Sequence, residues 1–388
     1  MSIFPYDDPV DLASAGMDER KLAAAVEEFR NQHARGSFPG GQMVVRRNGS
    51  LVLNEVCGVG RGWREDEGIP PMQVKPDTPF PVLSAGKPLA AVAIAMLEDR
   101  GLVQVETPVV EYIPEFAKHG KGEITILDVL THCSGISLPD LVEDMGIWND
   151  RQALLERLIE ARPVHRRGTM MYAAYEYGWL LSELFLRITG RPLPAFIEEE
   201  LSVPLELPAL KLGLAGRDAD QIAWSYWLGK DKVIVSQVNV AENFEERNNS
   251  LQQINSLNPA VSCVTDAASL AAFYQFLVQG GITHTGERLI SQETLNKYTT
   301  KNVFGLDRSS RFFSSLGRGF MVGARFVSSF GWWGTQACFG HAGGFSSMAF
   351  GDHDTKIAVG IVTNGNRDFI DVIKRFPPLC QKLRRACI

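Results

Sequence analysis

Strand-forming patterns occur near both ends of this chain, and a long block of helical patterns separates them. The early strand signal is a hairpin, because two β-like runs, Gln42 to Arg47 and Ser50 to Cys57, flank Asn48-Gly49, a dipeptide typical of a two-residue type I′ turn. Three late β-like runs are Gly319 to Phe326, Phe345 to Gly351 and Ile357 to Val362. We therefore expect an α+β fold in which both chain ends contribute to one sheet domain.

Helical spacing of apolar residues occurs at both termini and throughout the middle of the chain. The terminal helices are predicted at Asp18 to His33 and Phe369 to Leu383. Between them lie the predicted helices Ser84 to Arg100, Ile126 to His132, Arg151 to Ala161, Tyr177 to Thr189 and Ala267 to Val278. The expected organisation is a sheet domain from residues 1–83 and 260–388, with a mostly helical domain of residues 84–259 inserted into it.

Two segments lack a regular pattern. Gly58 to Gly62 is rich in glycine, but no helical pattern follows it, so we predict an ordinary loop rather than a phosphate-binding loop. Residues 213–259 are polar and irregular, and we expect them to form an insertion or a lid.

Composition excludes several classes of protein. The chain has 388 residues and a net charge of −6, with 39 Lys and Arg against 45 Asp and Glu and no long basic run, so we expect no nucleic-acid partner. The longest apolar run, Pro88 to Leu97, is too short to cross a bilayer, so we expect no membrane partner. The acidic N-terminal stretch Met1 to Gly16 does not resemble a secretory signal, which predicts a cytoplasmic protein.

The cysteines and histidines show no metal-binding pattern. Six scattered cysteines with no Cys-x-x-Cys pair predict buried thiols rather than disulfides or zinc ligands; they are Cys57, Cys133, Cys263, Cys338, Cys380 and Cys387. Asp352-His353-Asp354 is explained by a polar turn. We therefore expect neither a metal nor a cofactor.

Ser84 and Lys87 stand three residues apart at the start of a predicted helix, which places their side chains on one face. A serine hydroxyl is a weak nucleophile at neutral pH, and a lysine whose pKa is lowered by burial can accept or relay its proton. The N–H groups at the helix start would favour an oxyanion formed when Ser84 attacks a carbonyl. The same spacing also fits a helix N-cap followed by an exposed lysine.

Further motifs carry a resemblance to a known family. Residues Ile124 to Ile136 read Ile-Thr-Ile-Leu-Asp-Val-Leu-Thr-His-Cys-Ser-Gly-Ile. With the segment Pro81 to Pro88, which contains the Ser-x-x-Lys motif, they resemble the serine β-lactamase and penicillin-binding-protein superfamily, in particular the class C β-lactamase-like carboxylesterases (family VIII esterases). The family's Leu-Leu-Thr-His-Thr-Ser-Gly-Leu signature is matched with Cys133 in place of a threonine. Residues Val110 to Phe116 resemble the segment that precedes this signature.

The resemblance extends from about Phe38 to Thr363 and implies a fold. That fold is β-lactamase/transpeptidase-like, with an antiparallel sheet flanked by terminal helices and an inserted, mostly helical domain.

The family carries a catalytic tyrosine on a loop of the helical domain, in the form Tyr-Ser-Asn or, among esterases, Tyr-His-Ala. Residues Gly168 to Leu180 resemble the esterase form, which assigns this role to Tyr172, with Tyr175 and Tyr177 as close competitors. A phenol with an ordinary pKa of about 10 needs a nearby cation such as Lys87 to become a phenolate. We expect Tyr172 to act as general base and then as acid to the leaving group.

The third family element is Lys-Thr-Gly or, in esterase-like relatives, His-x-Gly. His341-Ala342-Gly343 resembles the latter, and its glycines allow the backbone to approach a substrate closely. The resemblance implies an oxyanion hole formed by the N–H groups of Ser84 and Gly344. For His341 three alternatives stay open: it hydrogen-bonds Tyr172, it contacts the substrate, or it is a satisfied histidine of a strand.

Five tryptophans are candidates for an apolar pocket wall, although aromatic residues at such spacings more often occupy the core. They are Trp148, Trp224, Trp227, Trp332 and Trp333.

The resemblance implies a serine hydrolase that cleaves a carboxylic ester through an acyl-enzyme on Ser84, with a small-molecule ester or acyl donor as its partner. Ala173-Ala174 lack the side-chain amide of β-lactam-hydrolysing relatives, and His341 replaces their lysine, so both changes weigh against a β-lactamase. An acyltransferase, an amidase or D-amino-acid peptidase, and a non-catalytic binding protein remain as alternatives.

Overall fold

The computed structural model of this chain describes residues 4, 6–142, 144–235 and 238–388. Its strands in chain order are β1 (Gly40–Arg47), β2 (Ser50–Arg61), β3 (Met72–Gln73), β4 (Phe80–Pro81), β5 (Lys211–Leu212), β6 (Tyr226–Trp227), β7 (Ile234–Val235), β8 (Val238–Asn239), β9 (Cys263–Thr265), β10 (Val303–Leu306), β11 (Phe313–Leu316), β12 (Met321–Val322), β13 (Cys338–Gly343), β14 (Ser347–Asp352), β15 (Ile357–Thr363) and β16 (Gly365–Asn366). Its α-helices are α1 (Glu19–Ala34), α2 (Lys87–Asp99), α3 (Ile126–Leu130), α4 (Arg151–Glu160), α5 (Glu176–Thr189), α6 (Leu193–Ile197), α7 (Phe244–Asn248), α8 (Leu251–Ile254), α9 (Ala267–Val278), α10 (Gln292–Thr299) and α11 (Phe369–Arg385).

An antiparallel sheet joins strands from both ends of the chain. Within the described residues it has nine strands in the order β10-β11-β12-β13-β14-β15-β1-β2-β3. The hairpin predicted at Asn48-Gly49 is confirmed, because both residues have positive φ (51° and 91°) and connect β1 to β2. The predicted α+β class with a large antiparallel sheet is also confirmed.

Helices cover both faces of this sheet. Met43 and Val45 of β1 point to the face that α1 and α11 cover, and they join Phe29 and Phe376 in one core cluster. Val44 points to the opposite face and packs in the cluster that contains α9. This alternation follows from the period of two in a strand, and it explains why the central strands are apolar throughout.

The helix α2 is the buried centre of the helical block. Every residue from Lys87 to Leu97 is buried, and the helix contacts α5, α6 and α10. A helix that is apolar on all sides is stable only inside a core. Its N-terminus therefore carries Lys87 into the interior of the protein.

Three local predictions differ from the structure. The predicted loop at Gly58 to Gly62 is wrong, because β2 continues to Arg61 and pairs with β3. Glycines occur within a sheet where the neighbouring backbone lies too close for a side chain, and Pro39 O lies that close to Gly58. Only β12 forms within the predicted strand Gly319 to Phe326. Strand β13, which reads Cys-Phe-Gly-His-Ala-Gly, lacks a strong β pattern and was not among the predicted runs.

Residues 213–259 form several short elements instead of one regular unit. Strand β6 pairs in parallel with β16, which anchors this segment beside the end of β15. All six cysteines are free thiols, of which Cys57 and Cys387 are half-buried and the others buried. Among the described residues, no helix combines the length and apolar composition that crossing a bilayer requires.

Candidate active site

Ser84 lies on a short 3-10 helix, Leu83–Gly86, directly before α2. Leu83 is buried with φ of +49°, an uncommon backbone conformation for a residue that has a side chain. Neighbouring backbone packs closely here, since a Cβ on Gly86 would lie 2.8 Å from Pro259 O. The Ser84 hydroxyl donates to Ala260 O at 3.3 Å, so the nucleophile candidate is held by a segment far away in the chain.

Lys87 is completely buried beside Ser84. Its Nζ donates to Ser84 Oγ at 3.0 Å and to Ala174 O at 2.8 Å. The same nitrogen lies 4.8 Å from the ring centre of Tyr172 and 5.6 Å from that of Tyr177. The helical spacing predicted from the sequence therefore places an amine against the serine hydroxyl.

Burial lowers the pKa of Lys87 to about 7, although the nearby Glu176 carboxyl acts in the opposite direction. A substantial fraction of Lys87 is therefore a neutral amine at neutral pH. A neutral amine has a free electron pair and can accept the proton of Ser84.

Tyr172 lies beside both the Lys87 amine and the Ser84 hydroxyl. Burial raises the pKa of its phenol well above the ordinary value, and an interaction with the Ser84 hydroxyl only partly offsets this rise. In the free protein desolvation therefore favours the neutral phenol. Of the competing tyrosines, Tyr177 has a fully buried hydroxyl with no described partner, and Tyr175 lies beside Arg247.

His132 fixes the loop that carries Tyr172. Its Nδ1 accepts the Ala173 N–H at 3.1 Å, and its carbonyl accepts the Met171 N–H at 2.9 Å. Its ring lies 4.6 Å from the ring of Tyr172. Burial and the charge of Lys87 lower the pKa of His132 well below its ordinary value, so the ring is a neutral acceptor.

Three further side chains hold the same loop. Asp307 accepts the Tyr172 N–H at 3.0 Å. Asn258 donates to Tyr175 O at 3.0 Å and accepts the Ala260 N–H at 2.9 Å, which links the tyrosine loop to the carbonyl that binds Ser84. Glu176 is buried and accepts from the N–H groups of Leu138 and Tyr175.

The glycines after His341 pack directly against the Ser84 turn. A Cβ on Gly343 would lie 1.9 Å from Val82 O, and a Cβ on Gly344 would lie 2.6 Å from the Leu83 side chain. Gly344 also has φ of +54°, which a residue with a side chain adopts only under strain. The backbone N–H of Gly344 donates to no other described backbone group, so it is available to an oxyanion.

His341 is buried on β13 and does not line the cavity. Its Nδ1 lies 2.6 Å from Ala342 O, a group that can only accept, so Nδ1 carries the proton. Burial, aided by the charge of Lys87, lowers the pKa of His341 to about 3, and the ring is therefore neutral. Of the three alternatives, this geometry favours a satisfied histidine of a strand, with its ring 6.1 Å from that of Tyr172.

A cavity of about 370 Å³ opens above Ser84. Ser84, Tyr172, Tyr175 and Gly344 are among the residues that line it. The remaining wall is mostly apolar and includes Val240, Phe244, Val261, Leu316, Met348 and Phe369. The cavity therefore offers a reactive centre at the end of an apolar space.

The tryptophans do not form this wall as a group. Trp332 lines the cavity, whereas Trp333 is 60% exposed and lies outside it. Trp148 is a core residue, because its indole donates to Leu141 O and packs on Tyr175 and Trp179. Trp224 lies under the Arg61 guanidinium, and Trp227 packs behind two cavity phenylalanines.

Comparisons with known proteins identify the family of the chain. The family model described as Beta-lactamase matches residues 22–375, which is most of the chain. The chain belongs to the beta-lactamase family. The predicted superfamily is therefore confirmed.

Curated relatives of this beta-lactamase-family chain include one that is an esterase by name. This relative, the Esterase/beta-lactamase LipL of Mycobacterium tuberculosis, is 28% identical over 372 residues, which cover 90% of this chain and 82% of LipL. Two solved structures share the fold. A penicillin-binding protein homolog from Caulobacter crescentus has a TM-score of 0.80 at 24% identity, covering 95% of this chain and 99% of the other. A family VIII carboxylesterase has a TM-score of 0.79 at 21% identity, covering 96% and 98%.

Sequence analysis did not assign roles to His132, Asp307, Asn258 or Glu176. His132 lies inside the quoted family signature, and this signature could have predicted its position beside the site. Asp307 is 135 residues from Tyr172, and no local pattern indicates such a contact.

Proposed function

We propose that this member of the beta-lactamase family is a serine hydrolase that cleaves carboxylic esters through an acyl-enzyme on Ser84. The observation that carries the proposal is the fully buried Lys87, whose Nζ lies 3.0 Å from Ser84 Oγ at the base of an apolar cavity. The similarity to LipL, which is named an esterase and a β-lactamase, supports the class of reaction.

In acylation, the neutral amine of Lys87 accepts the Ser84 proton while Oγ attacks the ester carbonyl. The resulting oxyanion lies where the N–H groups of Ser84 and Gly344 converge. When the tetrahedral intermediate collapses, the carbon–oxygen bond to the alcohol breaks. The alcohol oxygen takes a proton from the Tyr172 phenol, which Lys87 reprotonates.

In deacylation, water takes the place of the alcohol. The Lys87 and Tyr172 pair accepts a proton from water as its oxygen attacks the acyl carbonyl. The bond to Ser84 Oγ then breaks, and Oγ takes back a proton. The products are one carboxylic acid and one alcohol.

Two features favour an ester over a β-lactam. Ala173 and Ala174 present no side-chain amide beside Tyr172, and His341 supplies no cation at neutral pH because burial lowers its pKa to about 3. Arg247, Asn248 and several serines also line the cavity, but most of its wall is apolar, which suits an uncharged ester better than a charged substrate. An apolar acyl group fits the wall that Val240 and Phe244 provide, and we propose that residues 213–259 act as a lid over it.

The test compares wild type with Ser84→Ala and Lys87→Met on p-nitrophenyl butyrate and on a chromogenic cephalosporin, with intact-mass detection of the acyl adduct. We expect ester turnover that both variants lose, a transient adduct on Ser84, and little cephalosporin cleavage. Turnover that survives in Ser84→Ala would overturn the assignment. An adduct that persists until an alcohol or amine is added would assign acyl transfer instead of hydrolysis.

A further inference from the structure

A rim of exposed apolar side chains adjoins the cavity that Ser84 lines. We define this rim by six side chains that are 49% to 71% exposed: Phe304, Phe312, Phe313, Phe326, Val327 and Trp333. Phe312, Phe313 and Val327 also line the cavity, so the rim and the cavity form one continuous apolar surface. Clusters of exposed large apolar groups mark interaction sites in folded proteins.

The rim is ordered by contacts among its own rings. Phe304 stacks on Phe313 across the β10–β11 hairpin at 5.8 Å, and Phe326 meets Trp333 edge-on at 5.6 Å. Phe312 contacts Phe369 at the start of α11 at 6.2 Å. These rings pack on each other at the surface and leave their outer faces in water.

The exposed charged side chains between positions 301 and 333 are all basic. Lys301, Arg308, Arg311 and Arg325 are exposed, and Arg325 lies over the Phe326 ring at 5.6 Å. Asp307, the single acidic residue between positions 301 and 333, is buried and accepts from Ser309 and Ser310. This basic border contrasts with the net charge of −6 for the whole chain.

We propose that the rim docks on the surface of an anionic phospholipid bilayer. Exposed aromatic rings enter the headgroup region, and arginine and lysine side chains beside them are attracted to anionic lipids. A symmetric contact with a second copy would bring the same basic border against itself, which opposes self-association. The charge pattern therefore favours lipid over another copy of this chain.

Docking would place the cavity mouth against the bilayer. An ester with a long acyl chain then passes from lipid into the cavity without exposing that chain to water. This route of delivery rests on the proposed esterase function, whereas the docking itself does not. The proposal departs from the sequence expectation that no membrane is a partner.

The experiment uses the full chain with vesicles of phosphatidylcholine alone or mixed with phosphatidylglycerol, separated by flotation. The test variant is Phe304→Ser with Phe326→Ser, two rim residues that do not line the cavity. The matched control is Leu102→Ser with Val203→Ser, two side chains that are 57% and 65% exposed and lie outside the cavity lining. Hydrolysis of water-soluble p-nitrophenyl acetate is measured for each protein.

We expect wild type and control to float with the mixed vesicles and to detach as salt rises. The test variant should bind at least about tenfold more weakly and retain its acetate hydrolysis. Equal binding by test and control variants, or no binding by wild type, would overturn the proposal. A dimer of wild type that dissociates in the test variant would assign the rim to self-association. Absence of acetate hydrolysis with intact vesicle binding would overturn only the proposed function.

Discussion

Lys87 Nζ lies 3.0 Å from Ser84 Oγ, and among the described residues the one charged group that raises its pKa is the buried Glu176 carboxyl, which forms no hydrogen bond to it. Desolvation therefore decides the protonation state of this lysine. The same amine faces the ring of Tyr172, whose own pKa is raised by burial. In the proposed mechanism the Ser84 proton therefore goes to the neutral amine, because the phenol stays protonated.

The first prediction concerns the pH dependence of acylation. Because Lys87 must be neutral to accept the Ser84 proton, kcat/KM for p-nitrophenyl butyrate should rise about tenfold per pH unit below its pKa. It should level off above about pH 7, the value to which burial lowers that pKa. His341 should not affect this profile, since its pKa is about 3. The background rate with Ser84→Ala is subtracted at each pH, and a flat profile across neutral pH would contradict the assignment of Lys87 as the base.

The second prediction concerns stability. The pKa of Lys87 falls from its ordinary value of 10.5 to about 7 in the folded state. Between these values the unfolded chain binds a proton that the folded chain does not, so the stability of wild type rises with pH in this window. Lys87→Met removes the buried amine and its pH dependence. The variant should be about 1–4 kcal/mol more stable than wild type below pH 7, although it loses activity.

Urea unfolding of wild type and Lys87→Met across pH measures this difference. The stability gap should be largest below pH 7 and should narrow as pH approaches 10.5, the ordinary value for a lysine. Lys118→Met, at a lysine that is more than half exposed, serves as the control and should show no such gap. A variant that is less stable than wild type at every pH would mean that packing of the lysine stem outweighs desolvation of its amine.

The fold was largely predictable because its main signals are local. Asn48-Gly49 specifies a turn by its backbone preference alone, and Asp18 caps α1 through its own carboxylate. Local propensity did not indicate β13, which only the family resemblance placed on a strand, because its residues are held by β12 and β14. Such pairing forms between segments that are distant in the chain, so no local sequence pattern predicts it.

The same distinction between local signals and contacts of distant segments applies to the candidate site. Ser84 and Lys87 share a helical turn, so their spacing predicts their proximity. The partners of the Tyr172 loop lie far away in the chain, as with Asp307, and no periodicity connects them. For Trp148 the residue type alone was insufficient. An aromatic residue is usually buried, but its type does not indicate whether it lines a cavity or lies in the core.

The third prediction is that His132 acts as a positioning residue for Tyr172. His132→Ala leaves the Ala173 N–H without its acceptor and removes the ring that packs on Tyr172, so kcat should fall about 10- to 100-fold. His132→Asn keeps a side-chain acceptor and tolerates the positive φ of 55° at this position, so it should recover part of the loss. Equal activity of both variants and wild type would remove His132 from the site. Equal loss in both, with a lowered thermal midpoint, would assign it a purely structural role.

The last prediction concerns the acyl chain. Each methylene that enters an apolar wall contributes about 0.8 kcal/mol, which corresponds to about fourfold in kcat/KM. Along p-nitrophenyl esters of increasing chain length, kcat/KM should therefore rise at this rate until the cavity of about 370 Å³ is filled, and then fall. Val240→Phe places a larger side chain on the part of the wall that the segment 213–259 provides, and so narrows the cavity. The acyl-chain length with the highest kcat/KM should therefore become shorter. Val203→Phe adds the same volume at an exposed position outside the cavity and should leave the optimum unchanged. If both variants share the wild-type optimum, the acyl chain does not occupy this cavity, and the segment is not its lid.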